Sequence, residues 1–350
     1  MTKRLFARGY ESAHKGFSDS ELERLCSPSI LEKGLFPWAS WESESTGYGK
    51  TFRLWANYPR VLPLLFCSDH GAGVGSRCFH NEINSPYDLF LTWDKKKSIT
   101  MREVYGKSSY HVPQPWSFYR KKVWGSPPEE RSGTLVFYPH SNGESEPCLD
   151  YYDDYIEELK RLPNEFQPIC LCISFHDIEK GRHKDLRKYN IPLVTAGAGR
   201  CGIFVDRFYS LIYQFRYGTS PNIGSHVYYT MEAGIPFFLF GKDPDYLMKD
   251  SPDVNNGLFK VEDYGDAEDV AERETFRKLI SIPTRTVTPI QREFVERRLG
   301  LDAEMSRMRA TMLIWAAFFK NIHRIIPLYF GAIFRVLSKY TAVGHEKVRN

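Results

Sequence analysis

The sequence YGTSPNIGSHVYYTMEAGIPFFLFG, residues Tyr217–Gly241, has the pattern of a complete β-α-β unit. A strand end is followed by a loop of small residues, then by a helix that stops at Gly234 and by the apolar segment Ile235–Phe240. Glycine commonly ends helices, and continuous apolar runs are typical of strands that are buried on both faces. The segment therefore predicts an α/β fold built on a parallel sheet.

The loop before this helix has the composition of an anion-binding site. The start of a helix carries unpaired backbone N–H groups and the positive end of the helix dipole, which together suit a phosphate. Gly224 would let a ligand approach the backbone, and Glu232, two turns into the helix, would either reach a sugar hydroxyl or face solvent. An ordinary crossover with a small-residue loop is the alternative. The candidate phosphate-binding residues are Thr219, Ser220, Asn222, Gly224, Ser225 and His226.

Strand and helix patterns alternate between residues 132 and 285. The predicted strands are Thr134–Tyr138, Pro168–Ser174 and Ile191–Thr195, and the predicted helices are Tyr151–Leu162, Ile178–Tyr189 and Ile203–Arg216. Such alternation implies a parallel sheet with helices on both faces, whose ligands lie at the carboxyl ends of the strands. His140 and Ser141 follow the first strand and His176 follows the second. Contacts to a base, ribose or phosphate are expected there, with solvated loop residues as the alternative.

The segment Gly197–Gly202 reads GAGRCG and matches the G-x-G-x-x-G pattern of dinucleotide-binding proteins. It follows two earlier β-α units instead of opening the domain, and no acidic residue ends the next strand to hold a ribose. A dinucleotide site here would also leave the phosphate-type loop at Ser220–Ser225 unexplained. NAD binding is therefore not favoured.

Residues 1–128 form a separate predicted block with a glycine-rich loop. Its predicted strands are Val61–Cys67, Tyr87–Trp93 and Tyr110–Val112. The loop Ser68–Gly75 follows the first strand, and Asp69 or His70 within it could deprotonate an acceptor hydroxyl. Adjacent residues on an extended backbone point in opposite directions, so both need not enter one cleft. A polar turn that needs glycines is the alternative, and the proline-broken stretch Gly125–Glu130 is a predicted linker.

Composition and charge exclude several classes of protein. The net charge is only +4 and no basic stripe with interleaved aromatics occurs, so nucleic acid is not an expected partner. The seven cysteines include no C-x-x-C pair, which indicates a reducing cytoplasm without disulfides or structural zinc. The acidic run at residues 150–154 contains no D-x-D triplet, so no metal site is expected. The N-terminus lacks the apolar core of a signal peptide.

The segment 286–350 is predicted to be helical and is dense in aromatic and basic residues. Its two apolar runs, Ala310–Phe319 and Ile325–Phe334, are separated by basic residues. Either these helices pack back on the core, or part of the segment lies in a membrane interface with its bases toward anionic headgroups. No uninterrupted apolar run is long enough to span a membrane.

Taken together, these features resemble the GT-B class of glycosyltransferases, especially those that build bacterial capsule or lipopolysaccharide. The resemblance is carried by strand-end motifs, which are Ser68–Gly75, Pro139-His140-Ser141, Ser174-Phe175-His176, Gly197–Gly199 and Thr219–Gly241. It implies two Rossmann-like domains that face each other across a cleft, with residues 1–128 on the acceptor side and 132–285 on the nucleotide-sugar side. Residues 286–350 would return to the first domain or dock on the membrane. The E-x(7)-E arrangement of many retaining members is absent from the segment Thr219–Gly241, so the stereochemical outcome stays open.

The resemblance implies transfer of a sugar from a nucleotide-sugar donor to a glycan or lipid-linked acceptor, with no further cofactor. Asp69 or His70 would activate the acceptor hydroxyl, and helix-end N–H groups would stabilise the leaving group in place of a metal ion. The implied location is the cytoplasm, with the inner membrane surface as the alternative. The implied donor-site residues are His140, Ser141, His176, Gly197, Thr219, Ser220, Asn222, Gly224, Ser225, His226 and Glu232.

Three other functions stay open on the sequence. A polysaccharide pyruvyltransferase would share the fold type but would need a basic cluster for phosphoenolpyruvate, for which Arg200 and Lys242 are the candidates. A nucleotide-sugar epimerase would need several acidic and basic side chains that converge on the sugar. A non-catalytic scaffold of a polysaccharide assembly complex would use the aromatic C-terminal segment for docking.

Overall fold

The computed structural model describes residues 13–29, 37–73, 75–142, 145–148, 151–248, 257–259 and 266–330. Within these ranges the chain is an α/β structure with parallel sheets, as the sequence predicts. The strands are β1 (Cys67–Ser68), β2 (Leu89–Thr92), β3 (Ser108–His111), β4 (Thr134–Phe137), β5 (Ser145–Pro147), β6 (Ile169–Cys172), β7 (Leu193–Val194), β8 (Tyr217–Ser220), β9 (Phe237–Leu239), β10 (Tyr246–Met248) and β11 (Gly257–Phe259).

Helices connect and cover these strands. They are α1 (Asp19–Cys26), α2 (Trp41–Glu44), α3 (Tyr48–Trp55), α4 (His80–Ile83), α5 (Lys95–Glu103), α6 (Pro115–Tyr119), α7 (Tyr152–Lys160), α8 (Phe175–Glu179), α9 (Arg182–Leu186), α10 (Phe204–Ile212), α11 (Ser225–Glu232), α12 (Ala267–Ile280), α13 (Pro289–Arg298) and α14 (Arg307–Asn321). Several begin at a capping side chain that accepts a backbone N–H of the first turn, as Ser306 does for α14 and Thr288 for α13.

A sheet of five strands holds the second half of the molecule together. Its strand order is β7-β6-β4-β8-β9, and each neighbouring pair is parallel. Numbered within the sheet, this is the order 3-2-1-4-5, which is compatible with a Rossmann-like fold. The predicted strands at residues 134–138, 168–174, 191–195 and 235–240 each contain one of these observed strands.

The helix predicted near Ile178–Tyr189, which Gly181 weakens in the sequence, is divided into shorter pieces in the structure. Two short helices, α8 and α9, occupy this region, with a single 3-10 turn at Arg187–Tyr189. The break occurs at Gly181, whose φ of +80° is left-handed and ends the helical path.

A second parallel sheet lies in the first half of the chain, in the order β1-β2-β3. The predicted strand Val61–Cys67 is wrong in its extent, because only Cys67 and Ser68 pair with β2. The preceding residues 64–66 are buried without joining the sheet. A third, antiparallel sheet of β5, β10 and β11 was not predicted, because its three-residue strands lie in a polar region of low periodicity.

An aromatic core lies between the two parallel sheets. The indole of Trp116 on α6 stacks on Tyr229 of α11 at 4.5 Å between ring centroids, and Tyr48 of α3 stacks on Trp93 at 5.5 Å. All four side chains are buried. Stacked aromatic pairs contribute about 0.5–1.5 kcal/mol beyond their buried area, so the Trp116–Tyr229 pair helps to hold the two halves of the chain together.

Residues 13–26 pack on the five-stranded sheet although they precede the first sheet in sequence. The Phe17 N–H donates to Leu193 O at 2.8 Å, and the Ala13 N–H donates to Gln214 Oε1 at 3.0 Å. The thiol of Cys170 donates to Ala13 O at 3.4 Å. The predicted division at residues 128–132 stays a prediction, and this N-terminal segment crosses it.

Helix α14 packs against residues of the first half. Trp315 lies 5.0 Å from Tyr58 between ring centroids, and Thr311 donates to Ala56 O at 2.8 Å. The described part of the C-terminal segment therefore returns to the core, one of the two outcomes that the sequence left open. The end of the predicted apolar run Ile325–Phe334 lies outside the described residues. In the described ranges, no helix has both the length and the apolar character needed to cross a bilayer.

Candidate functional site

The carboxyl edge of the five-stranded sheet contains a reversal in strand order. The chain runs from β4 outward through β6 to β7, and then returns to place β8 on the other side of β4. Open parallel sheets bind ligands in the crevice outside such a reversal. His140 follows β4 and the loop 221–224 follows β8, so the structure brings together two motifs that the sequence singled out.

The imidazole of His226 is half-buried against β4. It stacks on the Phe137 ring at 4.5 Å between centroids, and its Nε2 lies 3.1 Å from Ser220 Oγ. Burial, followed by the charge of neighbouring His140, lowers the pKa of His226 to about 3. At neutral pH this side chain is therefore an uncharged hydrogen-bonding group.

The tautomer of His226 follows from its neighbours. The Ser220 hydroxyl donates to the carbonyl oxygen of Asn222, so Ser220 Oγ accepts a hydrogen from His226 Nε2. Nδ1 is then the acceptor nitrogen. A β-carbon at Gly224 would lie 3.0 Å from this Nδ1 and 2.9 Å from Cε1. The space beside Gly224, which the sequence suggested for a ligand, is thus taken by the His226 ring.

A second and a third imidazole lie at the same edge. His140 is exposed, and its Nδ1 donates to Ser141 O at 3.1 Å. His176 is partly buried beside Phe175, and burial, followed by the charge of His140, lowers its pKa. His140 thus lies within electrostatic reach of both His176 and His226. Imidazole nitrogens of this kind are suited to hydrogen bonds with phosphate or hydroxyl oxygens.

The pH dependence of stability offers a test of the His226 environment. An unfolded chain protonates this histidine below pH about 6.5, whereas the folded protein does so only near pH 3. The unfolded state then binds more protons, so the free energy of unfolding falls as the pH drops below about 6.5, by up to about 1.4 kcal/mol per pH unit. We expect His226→Gln to flatten this slope in chemical denaturation between pH 6 and 4.

The exposed His323 provides the matched control for that experiment. His323→Gln also removes one imidazole, but from an exposed position. An unchanged slope in His226→Gln would show that the imidazole is not held neutral in the folded protein.

Ser141 has a structural role at this edge. Its hydroxyl donates to Asp177 Oδ1 at 2.8 Å, and its backbone N–H lies 3.2 Å from Oδ2. Arg182 Nη1 also donates to Asp177, at 2.7 Å. Because a hydroxyl has a single hydrogen to donate, Ser141 fastens the His140 loop to α8 instead of donating to a ligand.

Asp69 is held in a buried ion pair at the edge of the first sheet. Lys97 Nζ lies 2.8 Å from Asp69 Oδ1 and 2.8 Å from Glu82 Oε1, while Thr92 donates to Asp69 Oδ2 at 2.8 Å. Burial raises the pKa of Glu82 to about 7, although Lys97 opposes this shift. Both Asp69 oxygens are thus occupied within the protein, which makes this carboxylate a weaker candidate base than its neighbour.

His70 is the better candidate base. Its side chain is exposed to solvent, although protein surrounds it closely, as is typical of a residue in a cleft. Its Nδ1 lies 3.3 Å from Ser45 Oγ. Burial, partly opposed by Glu42 and Asp69, lowers the pKa of His70 below its usual value. The imidazole is therefore neutral at pH 7 and able to accept a proton.

The glycine-rich loop meets the start of α11 directly. Ser225 Oγ accepts from the Ala72 N–H at 2.8 Å and donates to Ala72 O at 3.1 Å. Gly71 has a φ of +83°, and a β-carbon there would lie 2.6 Å from Ser225 Oγ. Glycine is required at this close approach. The predicted phosphate ligand Ser225 thus joins the carboxyl edges of the two parallel sheets.

One face of α11 contacts the first half along its length. The hydroxyl oxygen of Tyr229, one turn after Ser225, lies 2.5 Å from the hydroxyl oxygen of Tyr48. Gln114 Nε2 donates to the same Tyr229 hydroxyl at 2.7 Å. Glu232 forms a buried, two-point ion pair with Arg120. The predicted sugar contact of Glu232 is therefore replaced by an internal one. The i, i+4, i+7 spacing of these three α11 residues is the signal that could have indicated a packing face.

Other predicted site residues also serve the fold. The Thr219 hydroxyl donates to Phe238 O at 2.7 Å, and Asn222 Nδ2 donates to Tyr246 at 3.1 Å. Gly197 is buried, and a β-carbon there would lie 2.6 Å from Leu25 O. Its loop packs on the N-terminal segment and on Thr46, whose N–H donates to Gly199 O at 2.6 Å. This packing leaves the G-x-G-x-x-G loop covered by the chain itself.

Two basic side chains that the sequence did not indicate, Arg298 and Lys97, also stabilise the site. Arg298 of α13 donates from Nη2 to Gly73 O at 2.7 Å and to Asp94 at 2.8 Å, and so fastens the glycine-rich loop. Lys97 lies in the run Lys95-Lys96-Lys97, which looks like an exposed basic surface. Nothing in the local sequence separates the buried lysine from its exposed neighbours.

Among the described residues, no cluster of three or more His, Cys, Asp or Glu side chains is arranged to hold a metal ion. All seven cysteines lie within the described ranges, and each is a thiol. The chain matches no known protein-family model, no curated protein and no solved structure.

Proposed function

We propose that this protein transfers a sugar from a nucleotide-sugar donor to a hydroxyl group of a glycan or lipid-linked acceptor. The observation that carries the proposal is the joint between Ala72 and Ser225, which places the strand-end loops of two parallel sheets against each other. A GT-B arrangement has this geometry, with a donor and an acceptor bound on opposite sides of one cleft. The division of the chain into two domains that face each other belongs to this proposal as well.

The donor side of the proposed cleft is the switch point of the five-stranded sheet. The start of α11 follows β8 at this edge, and no side-chain hydrogen bond caps its first backbone N–H groups. Helix starts of this kind favour phosphate oxygens. The imidazoles of His140, His176 and His226 add hydrogen-bonding groups around the same place. We assign the nucleotide phosphates to this region.

The acceptor side is the loop that carries His70. His70 directly precedes Gly71, which approaches Ser225 at the start of α11. In the proposed reaction His70 takes the proton of the acceptor hydroxyl, whose oxygen forms a bond to the anomeric carbon. The bond from that carbon to the donor phosphate breaks, and the phosphate leaves with the electron pair. The helix-end N–H groups stabilise this developing charge.

The other functions find less support in the geometry. Arg200 lies 5.4 Å from the Trp41 ring and Lys242 lies 5.2 Å from the Tyr151 ring, so each cation stacks on its own aromatic partner. They do not form the shared basic cluster that phosphoenolpyruvate would need. The loop Gly197–Gly202 is covered by other parts of the chain, which disfavours the binding of NAD there.

A ligand panel measured by thermal unfolding tests the proposal. Nucleoside mono- and diphosphates, nucleotide sugars, phosphoenolpyruvate and NAD are each added to the purified full chain. A nucleotide at about 100 times its dissociation constant should add about 2.7 kcal/mol of stability. We expect one nucleotide class to give this shift, and His140→Ala to reduce it because that side chain is exposed at the donor edge.

The control is His323→Ala, which removes an exposed imidazole of the C-terminal segment. Its nucleotide response should equal that of the wild type. A response to NAD or phosphoenolpyruvate alone would contradict sugar transfer. If no ligand of the panel stabilised the protein, sugar transfer would also be contradicted, and a non-catalytic scaffold of a polysaccharide assembly complex would be favoured.

A further inference from the structure

The outer face of α14 and of the helical residues that follow it is an exposed apolar strip. The side chains that share this face are between 49% and 74% exposed. They are Met308, Met312, Phe319, Ile322, Ile326 and Phe330. Their spacing of three, four or seven residues keeps them on one side of a helix. The opposite face packs on the core through Ala310, Ile314 and Phe318.

The strip is bordered by positive charge. Arg309 and Arg324 are exposed beside the apolar residues, and Lys320 is largely exposed, although its ammonium group also pairs with Asp88 at 2.8 Å. The sequence contains no Asp or Glu from residue 307 to residue 345. An apolar stripe with bases on its borders is typical of a helix that lies in the plane of an anionic membrane surface.

The charge distribution also argues against two other occupants of the strip, which are a second copy of the protein and residues 331–345 of the same chain. A symmetric dimer through this strip would place the same surface on both partners, so its cations would face each other. Residues 331–345 contain no acid, so this part of the chain brings no complementary charge. A contiguous apolar strip of this kind is more than the scattered exposed hydrophobics of an ordinary surface.

We propose that this strip docks the protein on an anionic lipid bilayer, with the apolar side chains at the headgroup boundary and the bases near lipid phosphates. Long basic side chains can cover apolar surface with their stems while their charged ends reach the headgroups. The docking surface is independent of the proposed sugar transfer, because none of its residues contributes to the cleft.

Co-sedimentation of the full chain with lipid vesicles tests the proposal. We expect binding to vesicles of phosphatidylglycerol mixed with phosphatidylcholine, and weaker binding to pure phosphatidylcholine or at high salt. The double substitution Met312→Glu/Phe319→Glu should lower the partition coefficient at least about tenfold. Ile282→Glu/Ile290→Glu is the matched control, because it places the same two charges at exposed apolar residues outside the strip.

Thermal unfolding of each variant checks that the exposed substitutions leave the fold intact. Equal vesicle binding by the wild type and the double variant would overturn the proposal. If the protein bound phosphatidylcholine alone as strongly as the anionic mixture, the proposed preference for anionic lipid would be overturned. Self-association in sedimentation velocity that the double variant abolishes, without vesicle binding, would assign the strip to a second copy of this chain.

Discussion

Replacing Lys97 by methionine should lower the free energy of unfolding by about 3–5 kcal/mol. Lys97 is buried between the Asp69 and Glu82 carboxylates, each 2.8 Å from its ammonium nitrogen. Burial alone would lower the pKa of Lys97, but Asp69 and Glu82 together raise it above its ordinary value, so the lysine is charged. Methionine would leave two acidic groups buried without a cation. Chemical denaturation of the full chain at pH 7 measures the loss.

The adjacent Lys96 offers a matched control on the same helix. Its ammonium pairs with Asp266 and Glu268, but these groups are exposed to solvent. Water and salt screen such pairs, so Lys96→Met should cost only about 0–1 kcal/mol. Equal losses in the two variants would mean that burial does not set the strength of the Lys97 cluster.

The substitution His70→Gln is expected to lower kcat about 10²–10⁴-fold in an assay with the donor that the ligand panel identifies. Glutamine retains a group that can hydrogen-bond to Ser45, but it cannot accept a proton from the acceptor hydroxyl. In the proposed function the donor binds on the other side of the cleft, so the nucleotide-induced stabilisation should be unchanged. The loss is thus expected in kcat and not in the affinity for the donor.

The pH profile of the wild type provides a second readout. A general base works in its neutral form, and burial lowers the pKa of His70 below 6.5. Activity should therefore fall only as the pH drops below this range, and this acidic limb should be absent from the residual activity of His70→Gln. Full activity of His70→Gln would exclude His70 as the base. If Asp69→Asn, folded and able to bind nucleotide, lost activity while His70→Gln kept it, Asp69 would be the base instead.

The parts of the fold that the sequence could predict are those with local signals. Residues 217–241 contain β8, α11 and β9 in the predicted order, because Gly234 ends the helix and the next residues are continuously apolar. The strand ends that carry His70, His140, His176 and the start of α11 were also located correctly. Parallel-sheet topology then brings the last three of these to one edge without further information.

The roles of individual side chains depended on partners that are distant in sequence. Ser225 contacts Ala72, which is 153 residues away, and Glu232 contacts Arg120, which is 112 residues away. A hydroxyl or a carboxylate near a phosphate-type loop looks the same in sequence whether it faces a ligand or another part of the chain. Local pattern could therefore identify the edge but not which of its polar residues were already bonded within the protein.

The N-terminal segment that packs on the five-stranded sheet has a consequence for synthesis. Residues 13–26 are translated before their partners, because the partners of Ala13 lie 157 and 201 residues later in the chain. At about 5–20 residues per second, roughly 10–40 s pass before those partners exist. During that interval the apolar side chains of Phe17, Leu22 and Leu25, all buried in the finished protein, have no native surface to cover. The nascent chain must therefore be kept from aggregating through this segment until the second sheet has been translated.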